Sequence, residues 1–131
     1  MSNPPTNLSI GQCATLACLL EATAPKVGNV HRGADFEDLT FTDFMASAVV
    51  IGPVLENAGE RGVGRTVLDA VRATRAVVAT NTNLGMALLL APLAAVPRGE
   101  RITTASIHKG LQGLSADASR LVYEAIRVAQ P

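Results

Sequence analysis

The sequence predicts an all-α fold, a compact multi-helix domain built around a central buried apolar helix at about residues 83–96. Three observations carry that expectation. Apolar residues recur with helical spacing along most of the chain, no alternating run rich in β-branched residues stands beside them, and 48% of the residues are apolar while only 3% are aromatic. Ala, Leu and Val must then fill the core, and such small side chains suit closely packed helices. The length of 131 residues matches one domain. A chain of that size buries about two thirds of the surface its unfolded form exposes.

Between Leu8 and Thr23, the residues Ile10, Cys13, Ala14, Ala17 and Leu20 form one helical stripe, with Asn7 as the expected N-cap and Pro25 as the stop. Pro25 to Leu39 has no helical period and reads as a long loop, which in a small domain is usually functional or disordered. Thr40 followed by Asp43 resembles a capping box with Asp in place of Glu; it opens a helix to about Asn57 whose inward face is Phe44, Ala48, Ile51 and Leu55. Gly59, Gly62 and Gly64 predict a turn. Thr66 to Val78 predicts a helix with Val67, Val71, Thr74 and Val78 inward. Next comes the polar tetrad Thr80-Asn81-Thr82-Asn83, directly before the most apolar stretch, Leu84 to Val96, in which Pro92 removes a hydrogen bond to Leu88. A turn at Pro97–Glu100, a short helix at Thr103–Leu111 and a last helix capped by Ser115 complete the chain, the last with Leu121, Val122, Ala125, Ile126 and Ala129 as its apolar positions.

The 11 basic and 11 acidic side chains cancel, which argues against nucleic-acid binding and against a polybasic membrane segment. Met1 to Asn7 is polar and carries two prolines rather than a basic stretch followed by an apolar one, and the uncharged run from Asn83 to Pro97 is too short to span a bilayer. The expectation is a cytoplasmic protein with neither nucleic acid nor membrane as partner. Cys13 and Cys18 lie five residues apart on one helix, turned from each other by about 140°. They are read as separate buried thiols in a reducing compartment.

Chemistry concentrates in two places. Glu21 falls on the inward stripe of the first helix, where a carboxylate is costly unless a cation, metal or donor meets it; the alternative is a helix-end Glu that swings to solvent or pairs with Lys26. The loop behind it offers Lys26, Arg32 and the backbone around Gly28 and Gly33 to an anion, and Asp35, Glu37 and Asp38 to a hard cation. A site with both signs suits a metal-bound polyphosphate, and a solvated charged loop is the alternative. At the second place, Thr82 or Asn83 serves as N-cap of the apolar helix, yet capping does not account for four polar residues in a row. The positive end of that helix's dipole favours phosphate oxygens there. Arg61-Gly62-Val63-Gly64-Arg65-Thr66 lacks the strand and the Gly-Lys-Ser/Thr ending of a phosphate loop and reads as a helix-linking turn. His108-Lys109-Gly110 reads as surface structure.

Taken in order, Glu21-Ala22-Thr23-Ala24-Pro25-Lys26-Val27-Gly28-Asn29-Val30, Gly33-Ala34, Phe44 with Ser47, and Thr80-Asn81-Thr82-Asn83-Leu84-Gly85 resemble the triphosphoribosyl-dephospho-CoA synthase family. The match is good over about Glu21 to Gly85 and weaker in the tail, and this chain resembles a divergent member of about half the usual length, a single helical domain matching the N-terminal half. Citrate-lyase-type members read Asn-Thr-His-Lys-Gly where this chain reads Asn81-Thr82-Asn83-Leu84-Gly85, and carry a His and an acidic residue near the positions of Asp35 and Glu37.

The resemblance implies an ATP-dependent transferase that moves the 5-triphosphoribosyl group of ATP to a hydroxyl of dephospho-CoA or a related coenzyme and releases adenine. Mg²⁺ is the implied cofactor. Under that resemblance Glu21, His31 and Asp35 are the expected catalytic residues, with His31 as proton donor. Lys26, Gly28, Asn29, Arg32, Thr80, Asn81, Asn83 and Gly85 are expected to bind substrate, and Glu21, Asp35, Glu37 and Asp38 to hold the metal. The other reading is a non-catalytic nucleotide-binding or oligomerising helical module. A homodimer is expected if the short chain leaves its central helix uncovered.

Overall fold

The computed structural model describes residues 7–24 and 40–130. Among the described residues it is all-helical, as expected, with seven helices: α1 (Ile10–Thr23), α2 (Phe41–Glu56), α3 (Ala58–Arg61), α4 (Val63–Arg75), α5 (Leu84–Ala94), α6 (Thr104–Gln112) and α7 (Ala116–Ala129). No described helix is long and apolar enough to cross a membrane.

Local chemistry fixes the helix starts. Ser9, not Asn7, caps α1, accepting from the Gln12 amide while the Gln12 side chain accepts from the Ser9 amide. That reciprocal pair satisfies two otherwise unpaired donors, which Asn7 is too far upstream to do. Thr40 and Asp43 form the expected capping box of α2, Thr103 and Ser106 form another at α6, and Ser115 accepts from Ala118 at α7. The expected glycine turn is narrower than its three glycines suggest. Gly62, at a φ of 84°, separates the single turn of α3 from α4, whereas Gly64 lies inside α4. A Cβ on Gly64 would meet the Ala118 carbonyl oxygen at 2.4 Å, so this glycine lets α4 and α7 touch backbone to backbone. Gly11 and Gly52 do the same for α1 and α2, where a Cβ on Gly11 would lie 2.3 Å from the Gly52 carbonyl oxygen. Thr15 strengthens that crossing by donating its hydroxyl to the Ala48 carbonyl at 2.6 Å.

The most enclosed helix is α4, which begins earlier than the expected Thr66 and buries Val63, Thr66, Val67, Leu68, Ala70, Val71 and Thr74 against α2, α5 and α7. Its inward face is the one the spacing predicts. The expectation of a buried helix at residues 83–96 needs correction. Helix α5 touches all six other helices, yet it buries only Leu84, Ala87 and Ala91, and Leu89 is 68% exposed. A helix that is apolar all round gives no signal for which face turns inward, and in α5 that face is Leu84, Ala87 and Ala91. Cys13 is likewise exposed rather than buried, while Cys18 is buried as expected. The His108 turn sits on exposed α6, and Glu100 donates its amide to the Pro97 carbonyl in the expected turn.

Candidate functional site

The polar tetrad connects α4 to α5 without regular structure, and three side-chain bonds hold it. Asn81 Oδ1 accepts from the Leu84 amide at 3.1 Å, so the side chain that caps α5 comes from Asn81 although Asn83 occupies the N-cap position. Ser47 of α2, 1% exposed, donates its hydroxyl to the Asp43 carbonyl, which leaves the Thr82 hydroxyl to donate to the Ser47 oxygen. Asn83 Oδ1 accepts from the Thr74 hydroxyl of α4 at 3.0 Å. The junction is therefore pinned to α2, α4 and α5 at once.

One cavity of about 310 Å³ forms where this junction meets α1 and α2. Glu21 and Cys18 line it from α1, Phe44 and Ala48 from α2, Asn81, Thr82 and Asn83 from the junction, and Gly85 from the first turn of α5. Glu21 is the one charged side chain among its described lining residues, and it is half-buried. Burial first, and then the Glu21 charge, push the Cys18 thiol up to about 11, so this cysteine is a poor nucleophile. Asn83 is only 6% exposed, and its Nδ2 has no hydrogen-bond partner among the described residues. The Thr80 hydroxyl oxygen is likewise buried without a partner among the described residues, although Thr80 does not line the cavity. Orphaned buried donors of this kind are uncommon in folded proteins and mark places where a ligand or water completes the pairing. The Gly85 and Met86 amides belong to the first turn of α5, where intrahelical partners are lacking, and a Cβ on Gly85 would meet nothing within 4 Å.

Of the expected site residues, Glu21, Asn81, Asn83 and Gly85 come together around one space, and Thr80 is not among its lining residues. Lys26, Gly28, Asn29, His31, Arg32, Asp35, Glu37 and Asp38 lie outside the described residues. Sequence reasoning missed Thr74 and Thr82 as parts of the site. Their signals were a polar residue on the inward stripe of α4 and the middle position of the tetrad. No group of three or more metal-ligating side chains occurs among the described residues.

A carboxylate, an orphaned amide donor and a helix N-terminus thus surround one cavity between helices. Comparison with known families is more specific. Residues 7–131 match the family model of the CitG proteins, described as ATP:dephospho-CoA triphosphoribosyl transferase, and the chain belongs to that family. No match was found among curated proteins, and none among solved structures.

Proposed function

We propose that this protein transfers the triphosphoribosyl group of ATP to a hydroxyl of dephospho-CoA or a closely related coenzyme, with release of adenine, and that the cavity between α1, α2 and α5 is where ATP is held. The observation that carries this reading is the convergence of Glu21 with the Asn81–Gly85 junction around one cavity, in a chain of the transferase family.

In such a transfer the bond between the anomeric carbon and adenine breaks as a bond to the acceptor oxygen forms. The acceptor hydroxyl gives up its proton to a base, and the departing adenine takes one from an acid. Positive charge develops on the ribose, and a nearby carboxylate stabilises it. Glu21 is proposed for that role or for taking the hydroxyl proton. Asn83 Nδ2 and the first-turn amides of α5 are suited to phosphate or ribose oxygens, and the bare Cα of Gly85 lets those oxygens approach the backbone. Mg²⁺ is commonly held by one or two carboxylates together with substrate phosphates, and Glu21 fits that mode; the ion would neutralise the triphosphate. The roles proposed for Lys26, Gly28, Asn29, His31, Arg32, Asp35, Glu37 and Asp38 rest on the family resemblance alone.

The test is incubation with Mg-ATP and dephospho-CoA, followed by chromatography for free adenine, ADP and AMP. Adenine, formed one-for-one with a triphosphoribosylated acceptor, is the expected product, and Glu21→Gln abolishes it while the fold is kept. ADP or AMP instead of adenine, or full activity in the Gln variant, contradicts the reading.

A further inference from the structure

Helices α1 and α5 line a second cavity besides the one holding Glu21. It has a volume of about 430 Å³, within the range of small-molecule sites, and its walls are mostly apolar. The two cavities lie along the same pair of helices, one lined by Cys18, Glu21 and Ala22 with Gly85, Met86 and Leu89, the other by Cys13, Ala14 and Ala17 with Leu90, Leu93 and Ala94. The C-terminal half of α1 thus faces the first turns of α5, and its N-terminal half faces the last. Eight residues separate Glu21 from Cys13 and Gly85 from Leu93, a span of about 12 Å at the rise of an α-helix, which three or four peptide-like units cover when extended.

Arg98 and Glu100 stand at the far rim of this second cavity. Arg98 spends its Nη2 on the Leu8 carbonyl at 3.2 Å, one of five donors that a guanidinium carries. A lone cation over an apolar slot would suit a fatty carboxylate. A cation and a carboxylate together suit a neutral amide, whose carbonyl accepts from the one and whose N–H donates to the other. The required ligand is a slender, mainly apolar chain with amide groups, running from the nucleotide cavity.

We propose that this second cavity holds the pantetheine arm of the coenzyme acceptor, with Arg98 and Glu100 pairing to its amides. The naming of that ligand rests on the transferase reading above. Pantetheine consists of three peptide-like units, pantoyl, β-alanyl and cysteaminyl, and a diphosphate joins it to the nucleoside, so arm and linker together cover the span between the cavities with length left to reach Arg98 and Glu100. The acceptor's nucleotide end would then reach the space beside Glu21 while its arm lies between Cys13, Ala17 and Leu93.

Cys13 supplies the probe, because it lines this cavity and is exposed, whereas Cys18 is buried with its thiol raised to about 11. S-methylpantetheine, which has no thiol of its own to react, should slow maleimide modification of Cys13 saturably. Ala17→Leu, and Ala94→Leu from the opposite wall, should each abolish that protection and raise the KM for dephospho-CoA about tenfold, leaving thermal stabilisation by Mg-ATP unchanged. Protection without any adenine release would leave the arm site standing and remove the transferase reading. Adenine release with no protection, and with the dephospho-CoA KM unmoved in both folded variants, would overturn the arm site alone.

Discussion

The link between Thr74 and Asn83 ties the core of α4 to the candidate site, and its energetics can be measured by a double-mutant cycle. Thr74 is 2% exposed, and its hydroxyl lies 3.0 Å from two acceptors, the Ala70 carbonyl and Asn83 Oδ1. One hydroxyl proton cannot serve both. If it goes to Ala70, the Asn83 amide turns over so that Nδ2 donates to the Thr74 oxygen; in either arrangement one half of a buried amide lacks a partner. Thr74→Val therefore strands the whole Asn83 amide and should cost about 1–3 kcal/mol, the usual penalty for a buried polar group deprived of its partner. Asn83→Leu removes the orphaned atom, and Thr74 retains its bond to Ala70, so stability should stay within about 1 kcal/mol of the wild type or rise. With both substitutions the penalty of Thr74→Val should largely vanish, giving a coupling energy of at least about 1 kcal/mol. Urea unfolding followed by circular dichroism reads all four proteins. A Thr74→Val cost below about 0.5 kcal/mol, the range of ordinary surface changes, or additive behaviour in the cycle, would refute the reasoning. Asn83→Leu should also lose stabilisation by Mg-ATP, the pattern expected where a polar group is kept for binding at the expense of stability.

Gly64→Ala should destabilise by about 1–3 kcal/mol despite its better helix propensity, because the added Cβ meets the α7 backbone, whereas Gly110→Ala on exposed α6 should stabilise by up to about 1 kcal/mol; thermal melts of the pair check both signs. The Glu56 carboxyl is held below its ordinary value of 4.5 by hydrogen bonds from the Ser9 side chain and then the Gly11 amide. Its stabilising contribution is thus present above that value and lost as pH falls through the lowered one, so Glu56→Gln should flatten the acid limb of a stability-versus-pH curve and leave the neutral region's slope unchanged. Glu21→Gln removes the smaller of the two causes raising the Cys18 thiol, so a thiolate absorbance titration should find Cys18 ionising at lower pH than in the wild type, while burial still keeps it above an ordinary thiol. No change would mean that the Glu21 carboxylate is turned away from Cys18, its neighbour one turn earlier on α1.

The fold class, the capping box at Thr40, the inward face of α4 and the start of α7 were legible because each depends on near neighbours in sequence, through spacing or a reciprocal cap. What the sequence hid depends on distant partners. Gly11 and Gly64 look like flexible punctuation until Gly52 and Ala118 are placed against them. The uniform apolarity of α5 concealed the exposed side that carries Leu88 and Leu89. The site was half legible for the same reason. Glu21 on an inward stripe and a polar tetrad before an apolar helix are local anomalies, and the structure joins them. Nothing local announces that Ser47 and Thr74 hold the tetrad, since a hydroxyl on an apolar stripe can equally bond its own helix, as Thr74 does at Ala70.

The most direct measurement is hydrogen–deuterium exchange of the protein with and without Mg-ATP. Slower exchange should appear together at the Gly85 and Met86 amides and in the last turn of α1 around Glu21, with α6 unaffected. Protection confined to other helices, or binding that leaves the junction between α4 and α5 exchanging as in the free protein, would contradict the assignment of this cavity to the nucleotide.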